Sequence, residues 1–318
     1  MQSRLHYLIE KINEAEYIAS PFRHIEINNF LDADDFNEIM SCPEVATPEC
    51  ASDLELFDTL FSLGYQMVPF PGATTDHVQY IKYRETNRRI YHHSATESAG
   101  VVVRLNSPES EILRELKTFI ASDSFNKALA QKFDVKLESC SKDAGIQKYL
   151  DGYEISPHPD VRKKALTFMV NINTLERSEE NDYHTHYLNF IDERKYVSEY
   201  WKGNPLVERC WVPWHWCHSV KQQKANNSMV AFSPSFDTMH AVKASYSHLK
   251  GQRTQLYGNL WYREGPEAEF ISSPSRLDWW QFDFNPTAEK KYPNSSLINK
   301  FLKVVSGSKV DRSRIDNY

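Results

Sequence analysis

A histidine and an aspartate one residue apart, His158-Pro159-Asp160, close a segment that runs Gln147-Lys148-Tyr149-Leu150-Asp151-Gly152-Tyr153-Glu154-Ile155-Ser156-Pro157. Where a strand ends, such an HxD lets both outer side chains project to one side. An imidazole and a carboxylate can then take adjacent positions on one metal ion. The third ligand must come from elsewhere, and His240 heads an apolar run after the turn Ser233-Pro234-Ser235-Phe236-Asp237-Thr238. Two histidines and a carboxylate on one face leave three coordination positions open, which suits Fe(II) binding a bidentate oxoacid and dioxygen. Alone, HxD is a weak signal, because His-Pro-Asp also makes a good turn.

Arg253 adds to it. It stands thirteen positions after His240 and opens Arg253-Thr254-Gln255-Leu256-Tyr257-Gly258-Asn259-Leu260-Trp261-Tyr262. If the strands at His240 and Arg253 are antiparallel neighbours, the guanidinium enters the same cavity. There it offers the distal carboxylate of 2-oxoglutarate a planar fork that lysine would not reproduce. His215 and His218, in an aromatic stretch that is either pocket wall or core, compete with His240 for the third position. His248, in a Ser/Lys/Gly turn, reads as surface.

The elements that must position these residues follow from periodicity. Leu5, Leu8, Ile9 and Ile12 have helical spacing. Phe22 to Leu31 alternates as a short strand, and Asp32, Asp34 and Asp35 can cap a helix starting near Asp34. Val78 to Tyr83 and Gly100 to Leu105 read as strands, and Glu109 to Phe133 as one or two helices broken near Ser122, while Thr47 to Thr75 gives no firm assignment. After that, Ile146–Leu150, Ala165–Ile172, Tyr187–Phe190, Met229–Phe232, His240–Ala244 and Gln255–Tyr262 are short apolar runs between polar turns. That is the texture of a sandwich or barrel, so the chain is expected to be mainly β with flanking helices.

Tyr149, Gly152, His158-Pro159-Asp160, a distal His240 and the basic Arg253 together resemble the prolyl-4-hydroxylase-like branch of the 2-oxoglutarate/Fe(II) oxygenase superfamily. Ser20-Pro21-Phe22-Arg23-His24 with Asn28-Asn29-Phe30-Leu31 also resembles the first strand of these enzymes, so the likeness runs from about Ile18 to Tyr262. The resemblance implies a double-stranded β-helix (jelly-roll) core with Fe(II) on His158, Asp160 and His240. It implies 2-oxoglutarate on Arg253, with Tyr149 either hydrogen-bonding it or serving as a core aromatic, and dioxygen as oxidant. Asn171 and Asn173 would line the pocket or simply bond turns. Related halogenases replace the carboxylate ligand, so Asp160 points to hydroxylation, or to desaturation or ring closure. The chain departs from the family after HxD, where Glu179-Glu180-Asn181-Asp182-Tyr183-His184-Thr185-His186 replaces a Gly-Gly-acidic segment. His184 and His186 are therefore expected to face substrate or solvent. Arg89, in the basic and aromatic stretch Tyr80 to His93, is a candidate for an anionic substrate group or an ordinary solvated loop residue.

The 318 residues carry a net charge of -6, with 41% hydrophobic and 25% charged residues, as in ordinary globular proteins. No global field would gather nucleic acid. No apolar run approaches the ~20 residues that cross a bilayer, and the N-terminal stretch is charged, so a cytoplasmic protein is expected. Cys42, Cys50, Cys140, Cys210 and Cys217 include no metal or redox spacing and read as free thiols. One catalytic domain over 1–265 is expected, with a C-terminal extension over 266–318, aromatic at Trp279-Trp280-Gln281-Phe282, packing on the core or on a second subunit of a homodimer. The expected substrate is a small biosynthetic intermediate, an amino acid or sugar derivative. A protein side chain, as in prolyl hydroxylation, is the alternative. A zinc hydrolase using the same ligands and a non-catalytic binding module on the same fold are the rival classes.

Overall fold

The computed structural model describes residues 3–70, 72–85, 95–204 and 207–264. All of them lie in the first of two units, Met1–Thr287; the second, Ala288–Tyr318, falls outside the described residues, as do Arg89 and the extension from 266 onward.

Two antiparallel sheets face each other. The larger contains β1 (Tyr17–Ile18), β2 (His24–Asn28), β3 (Tyr65–Met67), β4 (Val102–Leu105), β5 (Cys140–Tyr149), β7 (Lys164–Asn171), β10 (Ser228–Phe232) and β12 (Arg253–Tyr262), in the order β1-β2-β10-β7-β12-β5-β4-β3. The smaller contains β6 (Glu154–His158), β8 (Thr185–Phe190), β9 (Cys217–Gln223) and β11 (His240–Lys243), in the order β6-β11-β8-β9. From β5 to β12 the chain passes back and forth between the sheets. That alternation is a double-stranded β-helix, or jelly roll, with helices on one side as expected.

Helices α1 (Tyr7–Glu14), α2 (Ala33–Ser41), α3 (Asp53–Ser62), α4 (His77–Glu85), α5 (Glu111–Ala121) and α6 (Asp123–Lys132) precede the barrel strands, and α7 (Tyr196–Gly203) follows β8. The α5 residues Ile112, Leu113, Leu116, Phe119 and Ile120 form one buried stripe. They join Phe125 of α6 and the sheet residues Ile146, Leu166, Phe168, Val170, Leu256 and Leu260 in one core. Burying each such side chain contributes roughly 1.5–3 kcal/mol, so this layer anchors the outer face of the large sheet. The break near Ser122 is real: its hydroxyl accepts the Phe125 N–H at 3.3 Å and starts a second helix. At Gly258 an added Cβ would lie 2.3 Å from Phe168 Cε1, so the helix-side packing requires glycine there.

One expected strand is a helix. Val78 to Tyr83 lies in α4, where Asp76 Oδ1 accepts the N–H groups of Val78 (2.9 Å) and Gln79 (3.2 Å). Only Tyr80 of this helix is buried, and Val78 is 61% exposed, so the apolar alternation marked no sheet face. Asp32 does sit at the start of α2, but without a side-chain cap; its carboxylate pairs with Lys11 at 2.7 Å instead.

Alternation along β5 sends Gln147 and Tyr149 toward the barrel interior and Lys148 toward the helices. Lys148 is fully buried, donating to the Val45 carbonyl (2.8 Å) and Thr254 Oγ1 (3.2 Å), and burial lowers its pKa from 10.5 to about 7. Between these two values the unfolded chain holds a proton that the folded chain lacks, so stability rises with pH across that window and the full penalty applies below it. Lys148→Met removes the titrating ammonium and is expected to flatten the rise in unfolding stability from pH 7 to 10, which urea melts across that range measure.

Candidate metal centre

β6 ends at His158 and β11 begins at His240, and the two are Cα partners in the β6–β11 ladder. The ladder therefore sets their rings side by side, centroids 4.2 Å apart. Asp160, two residues past β6, has a left-handed φ of 73°, a region that aspartate enters more readily than most residues. Its carboxylate lies against both rings, with Oδ1 3.4 Å from His158 Nε2 and Oδ2 3.7 Å from His240 Nε2. One candidate ligand atom from each of the three residues lies within 4.8 Å of the others, and all three residues are buried.

The protons are arranged for a cation. His158 Nδ1 faces the Ser156 carbonyl and His240 Nδ1 the Thr238 carbonyl, each at 2.8 Å. A carbonyl only accepts, so each Nδ1 carries the hydrogen and each Nε2 offers a lone pair. Burial, then the neighbouring His158, pushes the His240 pKa down to about 3, so this imidazole is neutral at ordinary pH. Burial works to raise the Asp160 pKa, but the adjacent Lys164 ammonium holds it well below the usual carboxylate range. The result is two imidazoles turned with Nε2 toward one carboxylate, a set that fits a divalent ion.

Across the barrel, Arg253 opens β12 and is the Cα partner of Tyr149 on β5, with its guanidinium 4.4 Å from the centre of that ring. Its backbone N–H donates to the Tyr246 hydroxyl (2.9 Å), and Nη2 donates to Thr185 Oγ1 (3.1 Å). Nη1 is buried with no hydrogen-bond partner. Leaving such a group unpaired costs about 1–3 kcal/mol or more, a cost that an anionic ligand would remove. With its amide oxygen toward Arg104 (2.6 and 2.9 Å), Gln147 donates to the Tyr149 hydroxyl at 2.7 Å. Tyr149 then keeps its own hydrogen for a ligand.

The expected adjacency of the His240 and Arg253 strands is not what places the arginine. β11 lies between β6 and β8 in the small sheet, and β12 between β5 and β7 in the large one. The crossover carries Arg253 to the opposite wall, from which it lines the same cavity of about 540 Å³ as His158, Asp160, His240 and Tyr149.

The other candidates fall elsewhere. Asn171 is spent on bridging strands, donating to the Gln223 carbonyl (2.9 Å) and accepting from Gln255 (2.8 Å). Asn173 Oδ1 accepts the Thr254 N–H at 2.8 Å, and neither asparagine is among the cavity-lining residues. His184 is buried rather than exposed, its Nε2 near the Ser178 carbonyl (3.1 Å), and burial followed by the Arg253 charge lowers its pKa to about 4. His186 faces Ser219 Oγ at 3.0 Å, and it too is absent from the cavity wall. His215 and His218 are exposed, while Trp211 from the same stretch lines the cavity, its ring 28° from parallel to His158. His248 is not at the surface: it is 0% exposed and joins Asp53 Oδ1 (2.6 Å) to the Asp151 N–H (2.9 Å), bracing the turn that leads into β6. All five cysteines are free, as expected. Among the described residues no helix is long and apolar enough to cross a membrane.

Three further residues support the site without belonging to any motif. Lys164 Nζ lies 2.7 Å from Asp160 Oδ1, Thr167 Oγ1 lies 2.9 Å from Oδ2, and Thr185 holds Arg253. Lys164 and Thr167 stand four and seven positions after Asp160 in the sequence, a proximity that could have flagged them. Thr185 gave no such signal.

A jelly roll with two histidines, one carboxylate and a buried guanidinium in one cavity gives a candidate metal site beside a cation with one unpaired nitrogen. No family model matches the chain, and no curated protein matches it. Solved structures do. A Pseudomonas putida prolyl-4-hydroxylase is 10% identical, with 82% of this chain and 100% of that chain covered and a TM-score of 0.38. A prolyl hydroxylase from Trichoplax adhaerens, in complex with a hypoxia inducible factor oxygen degradation domain peptide fragment, is 11% identical, with 85% and 92% covered and a TM-score of 0.40. The epimerase SnoN in complex with Fe3+, alpha ketoglutarate and nogalamycin RO is 11% identical, with 86% and 91% covered and a TM-score of 0.36. At these identities and scores, activity must be argued from this chain's own residues.

Proposed function

We propose that this protein is an Fe(II)- and 2-oxoglutarate-dependent dioxygenase that hydroxylates an unactivated C–H of a small biosynthetic intermediate, an amino acid or sugar derivative. The observation that carries the reading is the buried Arg253, with Nη1 unpaired, in one cavity with a two-histidine, one-carboxylate set. A zinc hydrolase would use the same ligands but has no general need for a buried carboxylate fork.

His158, Asp160 and His240 would hold the iron, which supplies oxygen activation once the oxoacid is bound. Arg253 would take the distal carboxylate of 2-oxoglutarate, with Thr185 fixing the guanidinium plane and the Tyr149 hydroxyl giving a further hydrogen bond. The apolar walls contributed by Val102, Ile155, Met169, Val242 and Trp211 exclude water from the reacting carbon. A volume of about 540 Å³ falls within the range of small-molecule sites.

The direct test is oxygen uptake and succinate formation by the purified protein with added Fe(II), across a panel of amino acids and sugar derivatives. Succinate stimulated by one member, and dependent on both iron and 2-oxoglutarate, is the expected result. Turnover with Zn(II) and without the oxoacid would establish the hydrolase instead.

A further inference from the structure

We infer that Lys164 is a positioning residue that keeps Asp160 a one-oxygen ligand. The inference rests on the metal reading above and concerns what this chain adds to it.

Lys164 reaches the cavity through an irregularity in β7. Along β12 the residues Arg253, Gln255, Tyr257, Asn259 and Trp261 line the cavity in strict alternation. On β7, Thr167 pairs with Asn259 and Leu166 with Leu260, but Trp261 pairs with Lys164, so Ala165 is an extra residue. Regular alternation from Thr167 would point residue 164 at the helices. The bulge reverses its direction and brings the ammonium onto the cavity face beside Thr167. Placing an ammonium there, on a side chain only 11% exposed, is costly unless it is paired.

It is paired with the ligand itself. Nζ lies 2.7 Å from Asp160 Oδ1 and 3.0 Å from the Tyr257 hydroxyl, and it stands 5.7 Å and 5.4 Å from the centres of the Tyr257 and Trp261 rings. Thr167 Oγ1 is 2.9 Å from Oδ2. The two carboxylate oxygens thus have unequal partners, a full cation on Oδ1 and a neutral hydroxyl on Oδ2. A divalent ion approaching Oδ1 would meet the ammonium charge on the same oxygen, whereas Oδ2 carries no such competitor. Oδ2 would therefore be the ligating oxygen, and a six-coordinate ion held by one oxygen of Asp160 and the two histidines would keep three positions open. A two-oxygen aspartate would leave only two.

The test is water-proton relaxation with Mn(II), which prefers six oxygen-rich positions, using the full-length wild type, Lys164→Met, Lys164→Arg and Thr167→Val without oxoacid. Lys164→Met should still bind Mn(II), with the relaxivity per bound ion reduced by about one third as three exchangeable waters become two. Lys164→Arg, which keeps a cation on Oδ1, should restore the wild-type value, and Thr167→Val should leave it unchanged. Circular dichroism melts confirm that each variant is folded. Equal relaxivity in Lys164→Met and wild type would overturn the assignment, and so would loss of Mn(II) binding by a folded Lys164→Met, since the lysine would then be assembling the site rather than setting ligation. If the wild type itself binds no Mn(II) or Fe(II), the metal reading fails instead.

Discussion

Asp160→Ala should lose more than ~100-fold in Fe(II) affinity, because changes to groups that merely support a ligand already cost about 10–100-fold. Turnover should fall to background with it. The substitution also strands the Lys164 ammonium in a buried site, since its carboxylate partner at 2.7 Å is gone. Removing one member of a buried pair destabilises by about 3–5 kcal/mol, so part of any loss would be unfolding. Asp160→Asn separates the two effects: the amide oxygen still accepts from Lys164 but is a poor ligand for a divalent ion. Metal titration of the folded asparagine variant is the decisive measurement. Retained iron affinity with retained turnover would remove Asp160 from the metal site, and an unaltered partner affinity with no turnover in any variant would favour a binding module.

Arg253→Met should raise the concentration of 2-oxoglutarate needed for half-maximal succinate formation by roughly 30-fold to several thousand-fold. That is the range expected when a buried charged hydrogen-bonding partner worth about 2–5 kcal/mol is truncated. The metal should stay bound, since Arg253 projects from the large sheet while His158 and His240 stand on the small one. Arg253→Lys keeps the charge but loses the fork and the bond that Nη2 makes to Thr185, so it should recover only part of the affinity. Isothermal titration of the Mn(II)-loaded protein with 2-oxoglutarate reads this without catalysis. Equal affinity in wild type and Arg253→Met would show that the oxoacid lies elsewhere or does not bind.

The failures of pattern reading have local physical causes. The Val78 to Tyr83 alternation looked like a strand because period two and a short helix share positions over six residues, and the deciding feature was the Asp76 cap. α3 has no clear apolar period, and its signal is the pair Ser52 and Glu55: Ser52 Oγ accepts the Glu55 N–H at 3.2 Å, and Glu55 accepts the Ala51 N–H at 2.7 Å. His248 read as surface from its polar neighbours, yet it is buried by elements far off in the chain, with Asp53 on one nitrogen and Asp151 on the other.

The ligand types and their order were written in the chain: an HxD at a strand end, a histidine heading a later strand and an arginine opening the next. Those features are local, because a strand's two-residue period and a turn's φ preference need no distant partner. Tertiary structure alone decided that β11 and β12 occupy opposite sheets, that a one-residue bulge turns Lys164 onto Asp160, and that Thr185 and Tyr149 bracket the arginine. Each of these depends on which strands pair and in what register, and register is settled by burial across the whole barrel rather than by any one segment.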